Sequence, residues 1–187
     1  MLSASVDGWF TLPLTVPNYL AGFVGKPVLP LDAPEVSAAI ERVQKRTDAL
    51  LNCGGTHRPE WFHRKLGDIL YEGCGVARDE AGLLDALTKV RELREEFWRD
   101  VKVVGTGNRL NQELEKAGRV ADFIELGEVM ILDALDRRES AGAHFRNEYA
   151  TEAGEAKRND GDWCAVSAWE TRPDGTKVRH SEAVSFS

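Results

Sequence analysis

Residues 109–138 read RLNQELEKAGRVADFIELGEVMILDALDRR, the longest regular pattern in the sequence. Within it Leu110, Leu114, Ala117, Ala121, Ile124, Glu128, Ile131 and Leu135 recur in alternating steps of four and three. That spacing predicts one helix with an apolar, coiled-coil-like seam, about 45 Å long at roughly 1.5 Å per residue. Helices of this kind bundle. Glu128 is the charged member of the seam, and a register-setting glutamate paired with an arginine across the bundle explains it better than a catalytic carboxylate does.

The periodicity recurs upstream. A helix is expected from about Asp79 to Val101, with Leu83, Leu87, Val90, Leu93, Phe97 and Val101 facing inward and Lys89, Arg91, Glu92, Arg94, Glu95 and Arg99 in water. Before it, Pro59 suits the first turn of a helix that carries Phe62, Leu66, Ile69 and Leu70 and breaks at Gly73 and Gly75. Earlier still, Asp32 and Glu35 have capping-box spacing, and a helix with Val36, Ala39, Ile40, Val43, Thr47, Leu50 and Leu51 on one face runs to Cys53-Gly-Gly55.

The two ends differ from this middle. Val6 to Lys26 mixes Trp9, Phe10, Leu12, Leu14, Val16, Tyr19, Leu20, Phe23 and Val24 with Gly8, Pro13, Pro17, Gly22 and Gly25. So much apolar side chain with so little amphipathic order reads as an irregular segment that packs against something large, and at the start of a chain it resembles a cut edge. At the other end, Asp162 to Glu170 has strand character, Pro173-Asp-Gly175 reads as a turn and Thr176 to His180 as a returning strand.

Composition narrows the function classes. In 187 residues, 42% are hydrophobic and 29% charged, as in a folded protein, and the net charge of −7 argues against a general nucleic-acid binder. No apolar run reaches the roughly 20 residues needed to span a bilayer, so any membrane association is expected to pass through a partner. Cys53, Cys74 and Cys164 form no disulfide framework, which fits a reducing compartment.

Several chemical leads fail on context. Val101 to Leu110 (VKVVGTGNRL) imitates a strand entering a dinucleotide turn, but Leu110 stands where the third glycine belongs and a long helix follows. Cys53, His57, His63 and Cys74 include zinc-ligand types at spacings too loose for tight ligand pairs. Ser140 and His144 are four apart with Gly142 between them, and no carboxylate is obviously placed to orient the imidazole. No catalytic, cofactor-binding or metal-binding residue is assigned. What remains is Arg137, Arg138, Glu139, His144 and Arg146, read either as a solvated helix C-terminus or as an ordered junction gripping another domain.

Arg137-Arg-Glu-Ser-Ala-Gly-Ala-His-Phe-Arg146 resembles the Arg-x-Glu-Ser-x-Gly-x-His-x-Arg signature near the C-terminus of succinate dehydrogenase and fumarate reductase flavoproteins. Phe62 to Gly67, Gly73 to Arg78, Arg91 to Trp98 and Leu110 to Asp122 resemble further family stretches in the same order. Asp7 to Phe10 and Asn18 to Leu20 are similar to the segment that follows the flavin-domain core. Ala141, where many members have arginine, and Thr151 to Arg158 are more like the branch with a single cytochrome b anchor and menaquinone.

The resemblance implies a mainly α fold: a three-helix, spectrin-repeat-like bundle with a preceding linker helix, an irregular N-terminal segment and a C-terminal hairpin or extended tail. It divides the chain into a flavin-domain remnant (1–31), a linker helix (32–55), the bundle ending in the charged signature (56–146) and the tail (147–187). The family binds FAD and interconverts succinate and fumarate, coupled to quinone, but its flavin and dicarboxylate motifs precede the matched region. The chain alone is therefore expected to bind no cofactor and to be inactive.

Its implied role is structural, with Arg138, Glu139, Ser140, His144 and Arg146 contacting the flavin and capping domains of the same subunit. An iron–sulfur subunit and a cytochrome b anchor would complete the complex on the cytoplasmic side of the inner membrane. No nucleic acid and no direct membrane insertion are expected. The alternative is a free-standing helical adaptor derived from the flavoprotein that binds a protein partner through its apolar N-terminal segment. A third reading, an unrelated small hydrolase, has only Ser140 and His144 behind it.

Overall fold

A computed structural model describes residues 5–184, so the first four residues of the expected 1–31 segment and the last three of the expected tail lie outside the described residues. The chain divides into two units, residues 1–43 and 44–187. In the first, a π-helical turn over Asp7–Thr11 leads into α1, Leu12–Ala21. This corrects the expectation of an irregular segment. Pro13 stands near the start of α1 and Pro17 inside it, and the helix carries Leu12, Leu14, Val16 and Leu20 with only weak amphipathic order. Weak amphipathic order gives no clear helical period, and the prolines read as breakers.

No residue of α1 is buried, and Trp9 before it is 80% exposed. Tyr19 and Phe23 tilt together at 5.8 Å, and the Lys26 ammonium lies 4.7 Å from the Phe23 ring centroid. The division between the units falls within α2, Pro34–Asn52.

The second unit is the bundle. Its helices are α3 (Pro59–Gly73), α4 (Glu80–Asp100) and α5 (Gln112–Asp136), each packed against the other two. Phe62, Leu66, Leu83, Val90, Leu93, Phe97, Ala117, Ile124 and Ile131 form the core, and Leu50 from the end of α2 joins them. Phe62 and Phe97 meet edge to face at 5.2 Å, the arrangement their ring quadrupoles favour. Asp79 caps α4 by accepting from the Gly82 amide at 2.8 Å.

α5 starts two residues later than its seam suggests. The Asn111 side chain accepts from the Glu113 and Leu114 amides, an N-cap that starts the helix after Leu110, which is 95% exposed. Glu128, by contrast, sits as the seam predicts: 3% exposed, bonded to Arg91 Nε at 2.7 Å and to Arg94. These two arginines were expected in water; Arg94 is half-buried against the glutamate instead.

At one end of the bundle the loop after α2 is clipped to the loop after α4. Gly55 N–H donates to the Val101 carbonyl at 3.2 Å and Lys102 N–H to the His57 carbonyl at 2.7 Å. A Cβ on Gly55 would lie 2.0 Å from the Asp100 backbone, so only glycine permits this approach. At the other end, β1 (Ala77–Arg78) pairs in parallel with β2 (Phe145–Arg146), Arg78 opposite Arg146.

The tail holds α6, a single turn over Asp160–Trp163, and a hairpin of β3 (Ala165–Thr171) with β4 (Lys177–Ala183), in register from Ala165↔Ala183 to Thr171↔Lys177. The hairpin docks on α5 through Trp169 Nε1 to Asp133 (2.8 Å), Lys177 Nζ to Glu125 (2.7 Å) and Arg179 to Asp136 (3.2 Å). Among the described residues, no helix is long and apolar enough to cross a membrane.

Candidate functional site

α5 ends at Asp136, and the charged stretch that follows folds back over that end. Glu139, Ser140 and Arg146 are almost completely buried, so each polar atom there needs a partner. Ser140 Oγ accepts from the Arg146 amide at 2.8 Å and donates to the Arg146 carbonyl at 3.1 Å. Arg146 Nη1 then donates to the carbonyls of Ala134 (2.8 Å) and Leu135 (3.2 Å), capping α5 with a cation where the helix dipole is negative. Its Nε reaches Glu148 at 3.1 Å, and Glu148 in turn accepts from the Glu80 amide at the start of α4.

Glu139 faces the other way. Its Oε1 takes both Nε (2.9 Å) and Nη2 (2.6 Å) of Arg137, and its Oε2 accepts from the Asn159 amide at 2.8 Å. Burial raises the Glu139 pKa, but the Asn159 amide and the Arg137 guanidinium outweigh it and hold the carboxyl below its ordinary value. The Ser140 amide donates to the Lys157 carbonyl at 2.9 Å, which ties the tail to the same junction.

His144 sits on the turn closed by Ala141 and His144, where Gly142 adopts φ 59°, a left-handed conformation that suits glycine. Its Nε2 lies 3.0 Å from the Arg137 carbonyl and its Nδ1 3.1 Å from Arg78 Nη1. A carbonyl only accepts and a guanidinium only donates, so the ring is neutral with its proton on Nε2. Burial depresses the His144 pKa, and the charges of Arg78, Arg137 and Arg146 push it the same way; the bond to the Arg137 carbonyl opposes them.

Four of the five junction residues expected from sequence are thus brought together: Glu139, Ser140, His144 and Arg146. Arg138 is exposed and makes no hydrogen bond or ion pair among the described residues. Ser140 and His144 do not meet; the hydroxyl is occupied by Arg146 backbone and the imidazole by Arg78 and Arg137, which removes the basis for a hydrolase. Arg78, Glu148 and Asn159 are members of the junction that sequence reasoning missed. Arg78 lay in a family-like stretch, Gly73 to Arg78, but no spacing rule links it to a histidine so distant in the chain.

The remaining sequence candidates serve locally. His57 Nδ1 lies 2.5 Å from Asp100 Oδ2, and its ring stacks on Trp61 at 4.1 Å. His57 and the Thr56 hydroxyl and amide together pull the Asp100 pKa down to about 2. Cys53 contacts the Trp98 carbonyl at 3.5 Å, and burial raises the Cys74 thiol. No three His, Cys, Asp or Glu side chains among the described residues are grouped to hold a metal ion. The 102–111 loop does not fit a dinucleotide, because Asn111 already occupies two amides of the first turn of α5.

Comparison with known proteins covers this same architecture. Residues 63–187 match the family model described as "Fumarate reductase flavoprotein C-term". The chain belongs to that family. The fumarate reductase flavoprotein subunit of Haemophilus influenzae is 28% identical over 61% of this chain, and the succinate dehydrogenase flavoprotein subunit of Bacillus subtilis 26% identical over 67%. These alignments cover 19% and 20% of the two subunits, so the chain spans about a fifth of the length of the curated relatives it matches.

Among solved structures, the FrdA chain of E. coli quinol fumarate reductase superposes with a TM-score of 0.70 at 26% identity, over 81% of this chain and 25% of that one. The residues matched by the family model, 63–187, take in nearly all of the bundle, the charged junction and the hairpin. The mainly α fold with its three-helix bundle and terminal hairpin is therefore the family's fold.

Proposed function

We propose that this chain is the helical C-terminal part of the flavoprotein subunit of a succinate dehydrogenase or fumarate reductase, with a structural role in the assembled enzyme. The observation that carries this reading is the family match over residues 63–187, which takes in the whole charged junction. In the parent subunit FAD and the succinate–fumarate chemistry belong to domains outside this chain, with electrons passing to quinone through an iron–sulfur subunit and a cytochrome b anchor. The subunit would lie on the cytoplasmic side of the inner membrane, peripheral through the complex.

In this reading the segment 1–31 belongs to the end of the flavin domain, 32–55 links it to the bundle at 56–146, and 147–187 is the tail. The exposed Trp9, Phe10, Leu14, Tyr19 and Phe23 support it, since an apolar surface of that kind marks a contact with another body. Glu139, Ser140, His144 and Arg146 set the shape of the junction from within, and Arg138, on its surface, is the side chain available to the flavin or capping domain.

The test is made in the full-length subunit. Substituting Arg146 or His144 is expected to lower flavin retention or assembly with the iron–sulfur subunit; normal flavin content and assembly in both variants would end the junction's role. The isolated chain mixed with FAD and succinate is expected to show no turnover. The same exposed apolar residues favour a second reading, a free-standing adaptor that binds a protein partner. A reading frame carrying an upstream Gly-x-Gly-x-x-Gly strand–turn–helix decides for the flavoprotein part, and a native start at Met1 decides for the adaptor.

A further inference from the structure

We propose that His144 is a proton-sensitive latch, holding the end of α5, β1 and β2 together when neutral and releasing them when protonated. The neutral ring is a donor at Nε2 and an acceptor at Nδ1, and it uses both: the first on the Arg137 carbonyl, the second on the Arg78 guanidinium. An imidazolium has two donors and no acceptor. Protonation at Nδ1 therefore sets N–H against N–H and cation against cation at the Arg78 contact, and the two cannot stay together.

The surroundings offer the imidazolium no compensation. The charges that bear on the ring are Arg78 from β1, Arg137 after α5 and Arg146 from β2, all positive. The acids of the junction are already committed, Glu139 to Arg137 and the Asn159 amide, Glu148 to Arg146 and the Glu80 amide. The β1–β2 pair has only two residue pairs, so the Arg78–His144 bond is a substantial part of what joins those strands. The ring itself rides on a short turn at Gly142, outside the bundle helices and closed by the Ala141 and His144 amides.

The fold favours the neutral ring, so between the folded and unfolded pKa values the unfolded chain binds more protons. Stability from this contact is complete above about pH 6.5, the ordinary histidine value, and is lost as pH falls below it. The inference stands on this geometry and does not depend on the proposed function.

Imidazole nitrogen NMR on the 187-residue chain tests it. The expected result is an Nε2–H tautomer for His144 at pH 7.5 and a titration midpoint below about 6.5, shared by the amides of Ala77, Arg78, Phe145 and Arg146. Arg78→Gln removes the opposing charge and is expected to raise that midpoint; strand amides that titrate together with the ring are what a merely structural histidine would not show. His144→Gln keeps a donor and an acceptor but cannot titrate, and is expected to abolish the acid transition of the strand amides. An Nδ1–H tautomer, a midpoint at or above the ordinary value, or an unchanged midpoint in Arg78→Gln would overturn the latch. These three readings hold even if His144→Gln fails to fold.

Discussion

Arg146 shows how far one side chain can reach when its neighbours are backbone. Its guanidinium caps two carbonyls of α5 and pairs with Glu148, while its own amide and carbonyl are held by Ser140 Oγ. Ser140→Ala would strand two buried backbone groups and is expected to cost about 1–3 kcal/mol in urea unfolding. Arg146→Met is expected to cost about 2–4 kcal/mol, discounted from a fully buried pair because Glu148 can still reach water. A loss below about 0.5 kcal/mol in both variants would mean the junction is not an energetic part of the fold. The residue types of this stretch were legible in sequence, but their order was not. Side chains that bond to the carbonyls of another element leave no periodicity, so a solvated helix end and a closed junction read alike.

At the scale of elements, packing was the most legible feature. The inward residues of α4 and the seam of α5 sit where steps of three and four put them, because burial alone dictates that spacing. Ends were less legible: Asn111 competes for the first amides of α5 and moves its start past Leu110. Glu128 illustrates what a buried charge contributes. Burial raises its pKa, but the bond to Arg91 and the charge of Arg94 prevail, and the carboxyl lies below its ordinary value. A depressed carboxylate stabilises the fold above its unfolded pKa, and that contribution disappears as pH falls below about 4.3. Arg91 and Arg94 keep contact with water, so Glu128→Gln is expected to cost only about 1–2 kcal/mol near neutral pH. Glu128→Met removes the charge from an apolar seam and is expected to be neutral or stabilising, with a shallower loss of stability below pH 4.3. Thermal melts of wild type and both variants across pH 3–7 check this; a Met variant several kcal/mol less stable than the Gln variant would show that the ion pair, not packing, holds the seam.

For the whole molecule, the division at residue 43 separates two kinds of surface. The bundle's core begins with Leu50 and runs to Ala134, drawing on α2 to α5, while α1 buries no residue. A chain without residues 1–31 should therefore keep the bundle's cooperative melt, with a midpoint within about 2 °C of the intact chain, since a loss of even 1 kcal/mol moves a domain of this size by a few degrees. It should also bind much less of a dye that reports exposed apolar surface, because Trp9, Phe10, Tyr19 and Phe23 are removed with the segment. Circular dichroism melts and dye fluorescence on the two chains give the comparison. A midpoint lower by more than about 8 °C would make the segment part of the bundle's own stability. An unchanged melt with unchanged dye binding would place the sticky surface elsewhere. In that case the groove between α3 and α5, where Phe123, Leu126 and Met130 are partly exposed, is the next surface to alter.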